Sequence, residues 1–261
     1  MDKTNDPLKS KLTALMKKDL VRQKIYGGTI EALFDPQTHT YIIEGQIPNG
    51  VTSVLQAINK PALISWGVGQ AIEYVKSRIV PGVSLDEIEI KNMLEDAKKN
   101  WRKQRDSAAD VGKLVHTWCE QYIKGQSPET PVNPLMLSCV NAFLKWNETH
   151  KPKWMETERI VYSKLHKYAG MLDAIAVIND QQFIIDFKTG SGIYPEYSYQ
   201  LAAYQKALNE EGLEIAGRIC LNIPKTGKDA EEAYYLNDTL DDDFSAFYGA
   251  LLITRRQRQN G

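Results

Sequence analysis

The sequence predicts an α/β fold, and three observations carry that expectation. Residues 170–178 and 182–188 are rich in Ile, Val and Phe and flank Asn179-Asp180, the signature of two strands joined by a tight turn. Just after them, Tyr197, Leu201, Tyr204 and Leu208 recur at i, i+4, i+7 and i+11, an apolar stripe that predicts a helix over 196–209. Around this unit lie a helical pattern at 107–124, a strand at 158–163 and another at 215–223. From His116 onward the order is therefore helix, three strands, helix, strand.

Taken in order, the chain opens with a basic helix expected from Pro7 to Lys24, its apolar side formed by Leu8, Leu12, Leu15 and Leu20. Such a charged run is more simply a solvated face than a partner surface. Residues 29–34 and 40–44 read as a hairpin around Asp35-Pro36, and PNGVTSVLQAI as a helix start with Thr52 or Ser53 as N-cap. Pro61 interrupts before a helical stretch to Ile79, and Pro81-Gly82 breaks it before a helix over 85–105. In that helix Lys98, Lys99, Arg102, Lys103 and Arg105 surround Trp101. Basic residues interleaved with an aromatic suit a single-stranded nucleic-acid groove, although Trp101 in a core with its cations facing solvent is the plainer reading. The next helix carries a core stripe of Val111, Val115, Trp118 and Tyr122 beside a second row of Gly112, His116 and Glu120. A Pro-rich connector, 128–134, leads to a helix over 135–149, and the chain closes with a strand AEEAYYL and a helix over 241–258.

The 261 residues suit one large domain, with 1–105 an N-terminal elaboration, 106–225 the core and 226–261 a terminal strand and helix. Hydrophobic content of 43% and charged content of 25% describe an ordinary globule. A net charge of −1 supplies no overall basic field, so any nucleic-acid surface must be local. Cys119, Cys139 and Cys220 are scattered without a C-x-x-C pair, which argues against a zinc site or a disulfide framework and fits a reducing cytoplasm. No secretory signal or long apolar run is visible, so no membrane partner is expected.

The chemistry-bearing residues lie on the two central strands. A two-residue loop at Asn179-Asp180 pairs Ile178 with Gln181 and sets Asp173 opposite Asp186; a four-residue loop sets Asp173 opposite Lys188. Either register keeps Asp173, Asp186 and Lys188 on one face, with Ile185 and Phe187 on the other. Opposed residues on an antiparallel pair sit roughly 5 Å apart, where like charges are destabilising. Two carboxylates so placed call for a divalent cation with hard oxygen ligands, or for Lys188 as a neutralising salt-bridge partner. One turn apart on the following helix, Gln200 and Tyr204 project to the same side.

Gly170-x-x-Asp173, then Asp186-Phe187-Lys188-Thr189, then Gln200-x-x-x-Tyr204 on a helix resembles the PD-(D/E)XK nuclease superfamily, and most closely its RecB-type exonuclease branch. DVGKLVHTWCE resembles the G-T-x-x-H-x-x-x-E helix that precedes the catalytic hairpin in that branch, with Lys113 where Thr is usual. The resemblance spans about 107–224 and implies a restriction-endonuclease-like core. It implies a deoxyribonuclease that uses Mg²⁺ or Mn²⁺ on a DNA substrate, an exonuclease before an endonuclease of the same fold or an inactive nucleic-acid-binding relative. By the same resemblance His116, Asp173, Asp186 and the carbonyl of Phe187 would hold the metal, and Lys188 would act on the water and the phosphate. Gln200 and Tyr204 would orient Lys188 and the substrate, Thr189 would lie close to a phosphate, and Glu120 would stand behind the ligands. Glu158, at the expected start of the first core strand, would anchor the sheet or touch the metal. Relatives in this branch that hold an iron–sulfur cluster use four cysteines, a set this chain does not have.

Overall fold

In the computed structural model the described residues are Leu15, 19–58 and 60–259. They make a mixed α/β arrangement. Strands β1 (Val21–Ile25), β2 (Ile30–Asp35) and β3 (Thr40–Ile43) form an antiparallel meander. Residues 21–24 were expected to end the first helix; instead β-branched Val21 and Ile25 flank a strand paired from Val21↔Phe34 to Ile25↔Ile30. Leu15 is helical and buried against Leu33 and Ile42, and the rest of the expected helix before Asp19 lies outside the described residues.

A two-residue strand β4 (Asn49–Gly50) follows, then α1 (Val51–Val54), which tightens into a 3₁₀ turn at Leu55–Ala57. The helix start expected at Thr52 or Ser53 thus falls earlier, with Gly50 in the N-cap position. Helix α2 (Pro61–Arg78) takes Pro61 as its first residue, where a missing N–H costs nothing. Helix α3 (Glu87–Ile123) is continuous over 37 residues where two helices were expected. Asp106, Ser107 and the two alanines after them contain no Gly or Pro to stop it. Asn133 caps α4 (Pro134–His150), accepting from the Leu135 and Met136 amides at 2.9 and 3.2 Å, and Lys151 ends it in a left-handed conformation.

Strand β5 (Lys153–Ser163) is longer than its apolar stretch suggested and carries a bulge at Met155. It is followed by β6 (Tyr168–Ile178), β7 (Gln181–Lys188), α5 (Pro195–Glu210), β8 (Gly217–Asn222), β9 (Glu231–Leu236) and α6 (Leu240–Gln259). Asn179 and Asp180 both have φ near +50 to +60°, the two-residue turn that matches strand twist, and Ile178 pairs with Gln181. The shorter of the two registers considered is therefore the one adopted. The parallel pairing of β7 with β8 needs a crossover, and α5 supplies it.

Strand β6 is the axis of the large sheet. Along one edge it pairs with β5 from Ser163↔Tyr168 to Lys153↔Val177. Along the other, β7 pairs only from Ala174 onward, and β4 runs parallel to Tyr168 and Ala169. Gly170 to Asp173 thus lie in a fork between β4 and β7. The meander packs through Ile25, Ile30, Phe34 and Tyr41 onto Ile160, Tyr162 and Ala169. Helices α1, α5 and α6 pack through Val51, Leu201, Tyr204, Leu208 and Phe247 onto Leu172, Ile175 and Ile184.

The described residues divide into two compact units, one within Met1–Ile58 and Trp118–Gly261 and one within Asn59–Thr117. The second consists of α2 and the first part of α3. Inside it the ring of Trp101 lies against Gly67, where an added Cβ would stand 3.5 Å from the indole.

Candidate active site

The site grows out of the fork in the sheet. Because Ala174 pairs with Ile185, continuing the register brings Asp173 across from Asp186. At that point the side chain replaces the ladder: Asp173 Oδ2 accepts from the Phe187 amide at 2.6 Å. Strand β5 contributes to the same row. Thr157 pairs with Ala174 and Arg159 with Leu172, so Glu158 is opposite Asp173, and its φ is +51°. A left-handed residue inside a strand interrupts the alternation of faces. On β6 opposite it, Leu172 and Ile175, three residues apart, both belong to the core beneath α5. Glu158 is therefore in the middle of β5, not at its start, and its carbonyl is bound by Gln23 Nε2 at 2.5 Å.

On β7, Ile184 faces α5, so Asp186 and Lys188 do as well. Phe187 points the other way, with its ring 5.7 Å from that of Phe143 on α4. Asp186 is 2% exposed. Lys188 Nζ is 2.5 Å from Asp186 Oδ2 and donates to Gln200 Oε1 at 3.1 Å. The Gln200 amide nitrogen in turn donates to Asp186 Oδ1 at 3.1 Å and to the Tyr204 hydroxyl at 2.8 Å. One glutamine thus reads both members of the ion pair, which fixes their geometry. Lys188 also lies 4.8 Å over the ring of Tyr197, a cation–π contact.

Gly170 makes this arrangement possible. A Cβ there would stand 2.4 Å from Cε1 of Tyr204, so the tyrosine ring rests directly on the β6 backbone. The spacing Gly-x-x-Asp thereby acquires a physical reason: the glycine admits the ring whose helix carries Gln200.

Charge in the site is held in one state. Burial works against the Lys188 ammonium, but the Asp186 and Asp173 carboxylates outweigh it and raise its pKa above the ordinary lysine value. Lys188 is a cation here. Burial, reinforced by Asp186, pushes the Tyr204 phenol well above its ordinary range. The Cys220 thiol, paired with Asp186 across β7 and β8, is raised to about 12 by burial and the same carboxylate, so it stays neutral.

Asp173, Asp186, Lys188, Gln200 and Tyr204 are therefore brought together, with the Phe187 amide bound to Asp173 and Thr189 next in the chain. Of the other residues singled out from the sequence, Glu158 is level with Asp173 on β5, and the rest belong to α3. Glu120 pairs with Lys124 one turn on in α3. His116 is half-buried on α3 and belongs to the unit of residues 59–117. Within that unit Lys98 pairs with Glu95 at 2.6 Å, Lys99 is exposed, and Arg102 lies 5.8 Å over the Trp101 ring. Among the described residues no three His, Cys, Asp or Glu side chains are grouped to hold a metal ion. Asp173 and Asp186 offer hard anionic oxygens of the kind that suit Mg²⁺ or Mn²⁺.

Two features of the site were not read from the sequence: the in-register placement of Glu158, and Lys225. Lys225 Nζ donates to the Thr189 carbonyl at 2.7 Å and to its Oγ1 at 3.0 Å. The signal for Lys225 is topological. Parallel β7 and β8 end side by side, Lys188 against Asn222, so the turn after β8 must lie beside Thr189.

No known family profile matches the chain, and no curated protein matches it. Among the described residues no helix is long and apolar enough to cross a membrane. Solved structures similar to it include that of SSO0001, at 14% identity and TM-score 0.36, covering 92% of this chain and 82% of that one. Another is an alkaline exonuclease, LHK-Exo, from Laribacter hongkongensis, at 10% identity and TM-score 0.32, covering 77% of this chain and all of that one. The same exonuclease in complex with dAMP aligns at 12% identity and TM-score 0.29 over 77% of this chain. Likenesses this distant carry no argument about activity, which rests on the residues themselves.

Proposed function

We propose that the protein is a metal-dependent deoxyribonuclease of the PD-(D/E)XK type, an exonuclease of the RecB branch with a restriction-endonuclease-like core. The observation that supports this reading is the single network of Asp173, Asp186, Lys188, Gln200 and Tyr204 in the fork of the sheet. Asp173 and Asp186, with the Phe187 carbonyl, would hold Mg²⁺ or Mn²⁺; His116 is added as a donor on the resemblance alone. Bound there, the cation would lower the pKa of an attacking water and offset charge on the phosphorane-like transition state. Lys188 would attract the scissile phosphate and position or deprotonate the attacking water. Gln200 keeps Lys188 and Asp186 in register while substrate enters, and Tyr204 keeps Gln200 in place.

Incubation with linear and covalently closed circular DNA tests the reading. Linear DNA should be degraded with Mg²⁺ or Mn²⁺, circles should survive, and EDTA should stop the reaction. Asp186→Ala and Lys188→Ala should each cost on the order of 10²-fold or more in rate, the scale of a lost transition-state contact. Mn²⁺ should raise the melting temperature of wild type, since any ligand of the native state stabilises it, and should do so far less for Asp186→Asn. Rapid cutting of circles would move the assignment to an endonuclease, and full activity in either alanine variant would remove the site.

A further inference from the structure

The turn after β8 carries a cation that the catalytic reading leaves unused. Lys225 is half-buried, and its ammonium is held by two neutral oxygens of Thr189, at 2.7 and 3.0 Å. No carboxylate forms an ion pair with it among the described residues. Burial lowers its pKa from the ordinary lysine value, which is the mark of a charge short of a counter-ion. Thr189 follows Lys188 directly, so Lys225 is tied to the end of β7 at the residue next to Lys188.

A second residue lies at the end of the same two strands. Asn222 is level with Lys188 on parallel β8, is 1% exposed, and its side-chain Oδ1 makes no hydrogen bond among the described residues. Lys188, Thr189, Asn222 and Lys225 thus line the carboxyl ends of two parallel strands, the position at which open α/β sheets receive ligands. An ammonium presented there without a carboxylate is suited to a polyanion that continues past the first charge.

Resting on the nuclease reading, we propose that Lys225 holds the backbone phosphate next to the scissile one, with Thr189 as its tether. Lys188 then addresses the bond that breaks and Lys225 the strand that stays bound. Neither the reaction nor its proton balance passes through Lys225.

Steady-state kinetics of full-length Lys225→Ala and Lys225→Arg on linear DNA, over a range of salt, test this assignment. For Lys225→Ala, KM should rise roughly tenfold with kcat within about twofold, and the log–log salt slope should shrink by about one, as for one lost phosphate contact. Lys225→Arg should restore the slope. A lower melting temperature and lower kcat with wild-type KM and salt slope would overturn the proposal and leave Lys225 as a pin for Thr189. Anisotropy of a short labelled DNA strand in EDTA separates the two readings. Wild type that binds but never cleaves sinks the nuclease reading, while the salt slope of binding still judges Lys225; wild type that binds no strand sinks both.

Discussion

At Gly170 the backbone of β6 and the ring of Tyr204 approach too closely for any side chain between them. Gly170→Ala must push the ring away, and the ring's hydroxyl is a partner of Gln200. Overpacking of this kind costs roughly 1–3 kcal/mol, so the variant should melt lower. Its activity should fall further than its stability, because Gln200 is also the link between Lys188 and Asp186. Tyr204→Leu in the same chain should recover stability without recovering activity, a coupling that a double-mutant cycle would expose. The shared face of Asp173, Asp186 and Lys188 was legible from strand alternation, whereas Gln200 and Tyr204 were singled out through the resemblance, since periodicity alone makes Tyr204 a core aromatic. Glu158 was misplaced because its significance depends on pairing with β6 and on a left-handed backbone, neither of which is written in its neighbours. Lys225 was missed because it is remote from Lys188 in sequence and adjacent only through a parallel pairing.

Among the elements, the hairpin of β6 and β7 and the crossover helix α5 follow from local pattern, because apolar β-branched and aromatic runs flank good turn residues and an apolar stripe marks the helix. Asn179 and Asp180 adopt the turn in which Asn-Gly is the favoured pair. Asp180→Gly should relieve a left-handed non-glycine residue and raise stability by up to about 1 kcal/mol, read as a shifted denaturation midpoint at unchanged slope. A midpoint that falls would mean that the aspartate contributes more than its backbone conformation costs. Elements decided by distant partners were less legible. Residues 21–25 carry a helical-looking run of charges, yet pairing with β2 makes them a strand. β4 is two residues long and exists only because β6 is beside it. The break expected near residue 106 had no Gly or Pro behind it, and α3 runs straight through.

At the scale of the whole molecule, the contacts that complete the large sheet join remote parts of the chain. Gln23 binds the backbone of Glu158, β4 pairs with β6, and on α6 Arg255 binds the carbonyls of His166 and Lys167 as well as Asn49 Oδ1. Asn49 and Arg255 are 206 positions apart, and their meeting point is the β4 side of the fork beside Gly170. That closure has a consequence for time. A growing chain can form the β1–β3 meander early, but the fork cannot close until β6 and then Arg255 have been made. Loops so long must lose their freedom before any contact rewards them, which slows folding. Refolding from denaturant should therefore regain near-native helix signal well before the proposed nuclease activity, with the activity phase in milliseconds to seconds or slower. Arg255→Ala should lengthen that late phase more than the early one in stopped-flow traces, and equal effects on both would show that closure is not the slow step. Until the Arg255 contact is made, a newly synthesised chain would hold its strands without the closed fork, and so without the arrangement of side chains that the fork positions.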